Sequence, residues 1–296
     1  MSLKHTLVFV ALSFVLPLSS MPLGLHSPAN AKTSTSDANN AVKQVEALAW
    51  VKGPATVSIA SKANVKIPSG YMYLSEADTS RFLEINGNLP QPGRYTIARE
   101  DFKWFAVYAF SPDGYVKDDD AINAPEIFKA MKEAEPAENE ERRKAGLEPM
   151  YLDGWVVEPH YEPATRYLEW GTRLHSTDQA SIVNYTSRML GRSGVMSVVL
   201  VSDPTSLTKD LADFRSATKT FAYVPGEKYE EFRSGDKVAE YGLGALIVGG
   251  AAAAAAKSGA GKVIAGFAKV IIVGIGAVFI ALISFIKNLF ARRKAN

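Results

Sequence analysis

The sequence predicts an α+β domain, an antiparallel sheet meander with helices packed on one face, followed by a C-terminal membrane helix or helices. Three observations carry this expectation. Runs of β-forming residues broken by turn signals succeed one another between residues 152 and 202. Directly after them, Leu207, Leu211, Phe214, Thr218 and Phe221 recur at helical spacing. Long uncharged stretches then fill the C-terminal end.

Taken in chain order, Val42, Val45 and Leu48 predict a short helix over 38–50 after a polar leader. Ala55, Val57 and Ile59, then Ala63, Val65 and Ile67, alternate with polar residues and predict a β-hairpin, bracketed by Gly53-Pro54 and Pro68-Ser69-Gly70. Ser75 opens a helix to about Ile85, stopped by Asn86-Gly87. Phe102–Phe110 reads as a strand ending in the turn Ser111-Pro112-Asp113-Gly114. Pro125 suits the first turn of a helix over 124–134, and the charged stretch 135–146 reads as solvated. Four strands are expected at Leu152–Glu158, Arg166–Leu174, Ser181–Leu190 and Val195–Ser202, the last with the unbroken apolar run of a strand buried on both faces. Asp203 and Pro204 are the expected cap and first residue of the helix that follows.

The ends read as targeting and membrane segments. Lys4 precedes a predominantly apolar region thirteen residues long, 6–18, and Ala29-Asn30-Ala31 supplies a small-residue cleavage site, so residues 1–31 are expected to be a signal peptide. An uncleaved signal anchor is the alternative, disfavoured by the short apolar run. Tyr241–Ala256 and Val270–Ile286 carry no charge. The second, extended back to residue 263, suits a span of ~20 residues; the first is marginal. One span places Arg292, Arg293 and Lys294 in the cytoplasm, as the positive-inside preference requires; a helical hairpin is the alternative. The expected organisation is a signal peptide at 1–31, a leader and short helix at 32–49, and an extracytoplasmic domain at 50–236. An Ala/Gly-rich membrane-associated segment at 237–262, a transmembrane helix at 263–290 and a basic tail at 291–296 complete it. The expected location is a bacterial inner membrane with the domain in the periplasm.

The chain has 296 residues, no cysteine and a net charge of +2. Disulfides, thiol catalysis and cysteine-bound zinc are therefore excluded. Of 33 basic residues, eight lie in 237–296 and one in 1–31; of 31 acidic residues, one lies in 237–296. The stretch 32–236 thus carries 24 basic against 30 acidic residues, a charge of −6 that argues against nucleic acid as a partner.

Several strings resemble one family. Gly154-Trp155, Pro159-x-Tyr161, Thr165-x-x-Leu168-x-Trp170, Val183-Asn184-Tyr185 and Arg188-x-Leu190-Gly191-Arg192-x-Gly194 are similar to a bacterial family of membrane-anchored proteins of unknown function. Ser111-Pro112-Asp113-Gly114-Tyr115-Val116 and Gly235–Leu243 belong to the same resemblance, which covers roughly 50–290. It implies a signal peptide, one extracytoplasmic domain and a C-terminal membrane segment, and it brings no catalytic residues.

Candidate chemistry is sparse. Glu158, His160 and Glu162 alternate, so an extended strand would put them on one face, where one His with two carboxylates could hold a divalent metal or form an acid–base site; the plainer reading is an exposed charged turn. Trp155 and Trp170 fall on adjacent strands and either line a ligand pocket with Glu158 and His160 or pack in the core. Asp113, Asp118, Asp119 and Asp120 lack the alternation of a calcium loop. His175 offers a second histidine, but no nucleophile-elbow string accompanies either. Arg188 and Arg192 flank a turn that could grip an anion, with solvated arginines as the plainer reading. The string 256–263 looks like a phosphate loop, yet Val263 stands where Ser or Thr would hold magnesium, so no nucleotide, cofactor or metal is expected. Gly242, Ala245 and Gly249, with Gly274 and Gly276 in the main span, form small-residue faces expected to pack membrane helices together. These features point to a non-enzymatic interaction module whose partner is a protein or a second copy; an extracytoplasmic enzyme or small-ligand binder is the alternative.

Overall fold

The computed structural model describes residues 35–89 and 91–248. Helix α1 (Thr35–Glu46) and strand β1 (Val51–Lys52) lead into the hairpin β2 (Ala55–Ile59) and β3 (Ala63–Ile67). Strand β4 (Tyr71–Leu74), helix α2 (Glu76–Ile85), and strands β5 (Arg94–Arg99) and β6 (Phe105–Ser111) follow. Helix α3 (Ala124–Lys144) precedes β7 (Met150–Glu162), β8 (Tyr167–Ser176), β9 (Ser181–Leu190) and β10 (Val195–Ser202). Helix α4 (Leu207–Thr218), strand β11 (Ala222–Tyr223) and helix α5 (Leu243–Val248) complete the described chain.

Eight strands form one sheet in the order β1-β4-β5-β6-β10-β9-β8-β7. Every neighbouring pair is antiparallel. The sheet is two meanders, β4-β5-β6 and β7-β8-β9-β10, joined where β10 returns beside β6. A second sheet, β11-β3-β2, is hydrogen-bonded separately from the first. The α+β class and the meander over 152–202 are therefore as expected.

The helices, however, cover both faces rather than one. The reason lies in β6 and β10, whose successive residues face opposite ways and are nearly all buried. Phe105, Val107, Val199 and Val201 meet Val42 and Val45 of α1 and Phe82 and Leu83 of α2. Ala106, Tyr108, Val198 and Leu200 meet β2, β3 and Phe214 of α4. A strand apolar on both sides needs two covering layers, each Leu-sized side chain contributing roughly 2–3 kcal/mol by burial.

Other boundaries differ for local reasons. Helix α3 runs unbroken through Pro136 instead of stopping at 134. Pro136 is exposed, so the carbonyl it leaves unbonded faces water. Beyond it, Asn139 binds the start of β7: its Oδ1 accepts the Met150 N–H at 2.8 Å and its Nδ2 donates to the Met150 carbonyl at 2.9 Å. Helix α4 starts at Leu207, because Asp203 Oδ1 instead accepts the Thr205 N–H at 2.9 Å and forms a turn. The domain also continues beyond 236: Leu243, Leu246 and Ile247 of α5 are buried against Ile127 of α3 and Trp170 of β8. Among the described residues no helix is long and apolar enough to cross a membrane. The signal segment 1–31, the segment from Gly249, the span 263–290 and the tail 291–296 lie outside the described residues.

Candidate functional site

Of the four side chains singled out around β7 and β8, the fold brings two together. Trp170 is buried, and Trp155 packs beside it in the same cluster, edge-on to Phe128 of α3 at 5.6 Å. The Trp155 Nε1 is buried without a hydrogen-bond partner among the described residues. Glu158 and His160 lie exposed on the edge strand β7. Three register shifts along β7–β8 break its alternation between Leu152 and His160. His160 sits opposite Glu169, with Nε2 3.9 Å from Glu169 Oε2 and Nδ1 3.1 Å from the Glu158 carbonyl. Glu169 points to α4, where Arg215 donates to it at 2.8 Å. Its chain neighbour Trp170 points the other way, so His160 and Trp170 are separated by the sheet.

The other titratable candidates are engaged. His175 stacks on Tyr151, and its Nδ1 meets Asp153 Oδ1 at 2.5 Å. Asp118 accepts from the hydroxyls of Tyr161 at 2.7 Å and Tyr229 at 3.0 Å and from Arg166 Nη1 at 2.7 Å. Burial alone would raise the Asp118 carboxyl; these donors outweigh it and hold it below its ordinary range. Asp118 thus ties the segment after β6 to the β7–β8 hairpin. No group of three or more potential metal-binding side chains occurs among the described residues.

Arginine 188 behaves unlike the solvated turn residue expected. It lies on the face of β9 that α3 and α5 cover, with its guanidinium over the Trp170 ring at 5.8 Å. Its Nε is buried without a hydrogen-bond partner, and the side chain makes no ion pair among the described residues. Burial pulls the guanidinium down to about 10, with the Asp113 carboxylate opposing this and the Arg94 cation adding to it. Burial likewise lowers Arg94, and it raises the Tyr241 hydroxyl, to which Asp113 adds. Arg192, by contrast, is paired bidentately with Asp236 at 2.7 Å through both Nε and Nη2. The sequence reading placed Arg188 in water because, with Arg192, it flanks the turn Gly191-Arg192-Ser193-Gly194. The signal available was the run Asn184, Thr186, Arg188 at alternate positions between Ile182 and Leu190, a polar stripe framed by apolar ends.

The small residues of the C-terminal segment serve the domain itself where they are described. Gly242 precedes α5 rather than sharing its face, and a Cβ there would overlap the Asp120 carboxylate. Ala245 is half-buried in α5. Gly249, Gly274 and Gly276 lie outside the described residues.

No curated protein matches the chain. Among solved structures, cyanobacterial PsbP (CyanoP) from Synechocystis sp. PCC 6803 is similar with a TM-score of 0.37 at 13% identity, covering 57% of this chain and 92% of that one. The Ran-binding protein Mog1p of Saccharomyces cerevisiae is similar with a TM-score of 0.31 at 9% identity, covering 62% and 100%. Residues 51–281 match the family described as "Protein of unknown function (DUF2167)", and the chain belongs to that family.

Proposed function

We propose that this chain is an exported, membrane-anchored interaction module, with residues 1–31 as its signal and 263–290 as its span. Its α+β domain faces the extracytoplasmic side of a bacterial inner membrane, and residues 291–296 lie in the cytoplasm. The module is non-enzymatic, and it binds a protein partner or a second copy through the small residues Gly249, Gly274 and Gly276.

The observation that carries this reading is the seating of α5. Its Leu243, Leu246 and Ile247 are buried in the domain, and the uncharged Ala/Gly-rich stretch begins one residue after its end. A domain joined to an apolar segment with no polar spacer is held close to that segment, so events at one reach the other. The small-residue composition supports close helix association.

The test is crosslinking of the full chain in its native membrane, followed by purification and mass spectrometry. A reproducible partner or self-crosslink is expected, and it should disappear on truncation after Val248, which spares α5. Recovery as an uncrosslinked monomer overturns the reading.

A further inference from the structure

Arg188 is a partly exposed residue whose Nε is buried without a hydrogen-bond partner among the described residues, and a buried polar group left unpaired is costly. Its surroundings form an organised site. The register of the sheet sets Arg94, Ala109, Ser197, Arg188 and Leu168 in one row across β5, β6, β10, β9 and β8. Residues directly opposite in antiparallel strands share a face, so both arginines rise from the α3 side of the sheet. Their Cα atoms are three strand spacings apart, about 14 Å. Only Ala109 and Ser197 stand between them, and both are small.

Each polar group along this floor has unused bonding capacity. The Ser197 hydroxyl and the Thr96 hydroxyl, the latter one row away, are buried without hydrogen-bond partners among the described residues. Arg94 uses Nε and Nη2 on Gln91 Oε1, at 3.2 and 2.6 Å, and leaves Nη1 unbonded among the described residues. Asp113 and Tyr241 are close enough to act electrostatically on Arg188. Their segments are tied by the Tyr115–Val238 bridge. Two guanidinium cations against one carboxylate leave a single positive charge in excess. A monoanion balances that charge, whereas the Asp113 carboxylate repels a dianion. The guanidinium fork matches a planar carboxylate, and the indole under it offers an apolar flank.

We propose that this face of the sheet binds a small monocarboxylic acid, its carboxylate held by Arg188 and Arg94 above Ser197 and its apolar part beside Trp170. The proposal stands on the domain alone and is independent of the membrane reading above.

The test uses the full chain in detergent, titrated with acetate, benzoate and inorganic phosphate, and read by calorimetry and thermal melting. Saturable binding of benzoate with a rise in Tm is expected, at least tenfold weaker in Arg188→Met. Phosphate is expected to give no saturable shift. Absence of saturable binding by both carboxylates, or wild-type affinity in Arg188→Met, overturns the site; tighter binding of phosphate overturns the monocarboxylate assignment. Without ligand, Arg188→Met is expected to melt at or above the wild-type temperature, since it removes a buried N–H that has no hydrogen-bond partner among the described residues. A clear fall in Tm would make Arg188 a residue that holds the fold, and the proposal would be wrong.

Discussion

Glu138 is held against its own charge. It lines a small cleft under α3 with Met150, Leu152, Leu174 and Val248. Burial first, and the nearby Glu135 carboxylate second, push it up to about 7 from an ordinary value of 4.5, with Arg142 opposing. Glu135 stays in place because it accepts the Leu152 N–H at 2.6 Å and pairs with Lys132 at 2.9 Å. The folded state therefore holds a proton that the unfolded chain releases between pH 4.5 and 7. Stability falls as pH rises through that window and is flat above it. Glu138→Gln is expected to add about 1–3 kcal/mol at pH 8, a range discounted for the partial exposure of the side chain, and nothing at pH 4. Urea denaturation of both proteins at the two pH values checks this; equal gains at both would refute it. Neither Glu138 nor Arg188 was legible in the sequence, because burial of a charge is decided by what the other elements bring to it. Glu138 sits in a run of charges that reads as solvent-facing, and only the return of β7 beneath α3 encloses it.

Helix α4 is fixed by one carboxylate. Asp213 accepts from the Tyr71 hydroxyl at 2.6 Å, Arg99 Nη1 at 2.8 Å and Trp104 Nε1 at 2.9 Å, groups from β4, β5 and the turn before β6. Burial would raise the Asp213 carboxyl, but these three donors hold it below its ordinary range. Asp213→Ala is expected to cost about 2–4 kcal/mol, since it strands the enclosed Trp104 indole N–H and half-buried Arg99. Chemical denaturation measures it, and a loss below about 0.5 kcal/mol would show that apolar packing alone docks the helix. The Leu207–Phe221 periodicity identified this helix in the sequence, but its anchor could not be seen, since Tyr71, Arg99 and Trp104 lie more than a hundred residues away. Strands β9 and β10 match their expected limits because their β-forming runs end in sharp turns. Strands β4 and β5 were missed. β4 is four residues long, and β5 places Arg94 and Thr96 on a buried face, where an alternating pattern would have apolar residues.

At the scale of the whole molecule, the last described helix belongs to the domain. The sequence placed Tyr241–Ala256 at the membrane because it is uncharged, and composition cannot distinguish a segment that meets lipid from one that meets a protein core. The structure gives its first part to the core: Leu243, Leu246 and Ile247 lie against Ile127, Trp170 and Leu190, and Gly242 lets the chain approach Asp120 closely. Tyr241, which acts electrostatically on Arg188, stands two residues before that helix, so the same stretch neighbours the arginine site and leads toward the proposed anchor. Truncation after Asp236 removes three buried apolar side chains, each contributing about 1.5–3 kcal/mol, and exposes the Trp170 face. Relative to truncation after Val248, the shorter chain is expected to lose about 4.5–9 kcal/mol, read as a lower urea midpoint. If the two midpoints coincide, α5 contributes nothing to the domain and is free to move with the anchor, which would end the argument that the two are mechanically joined.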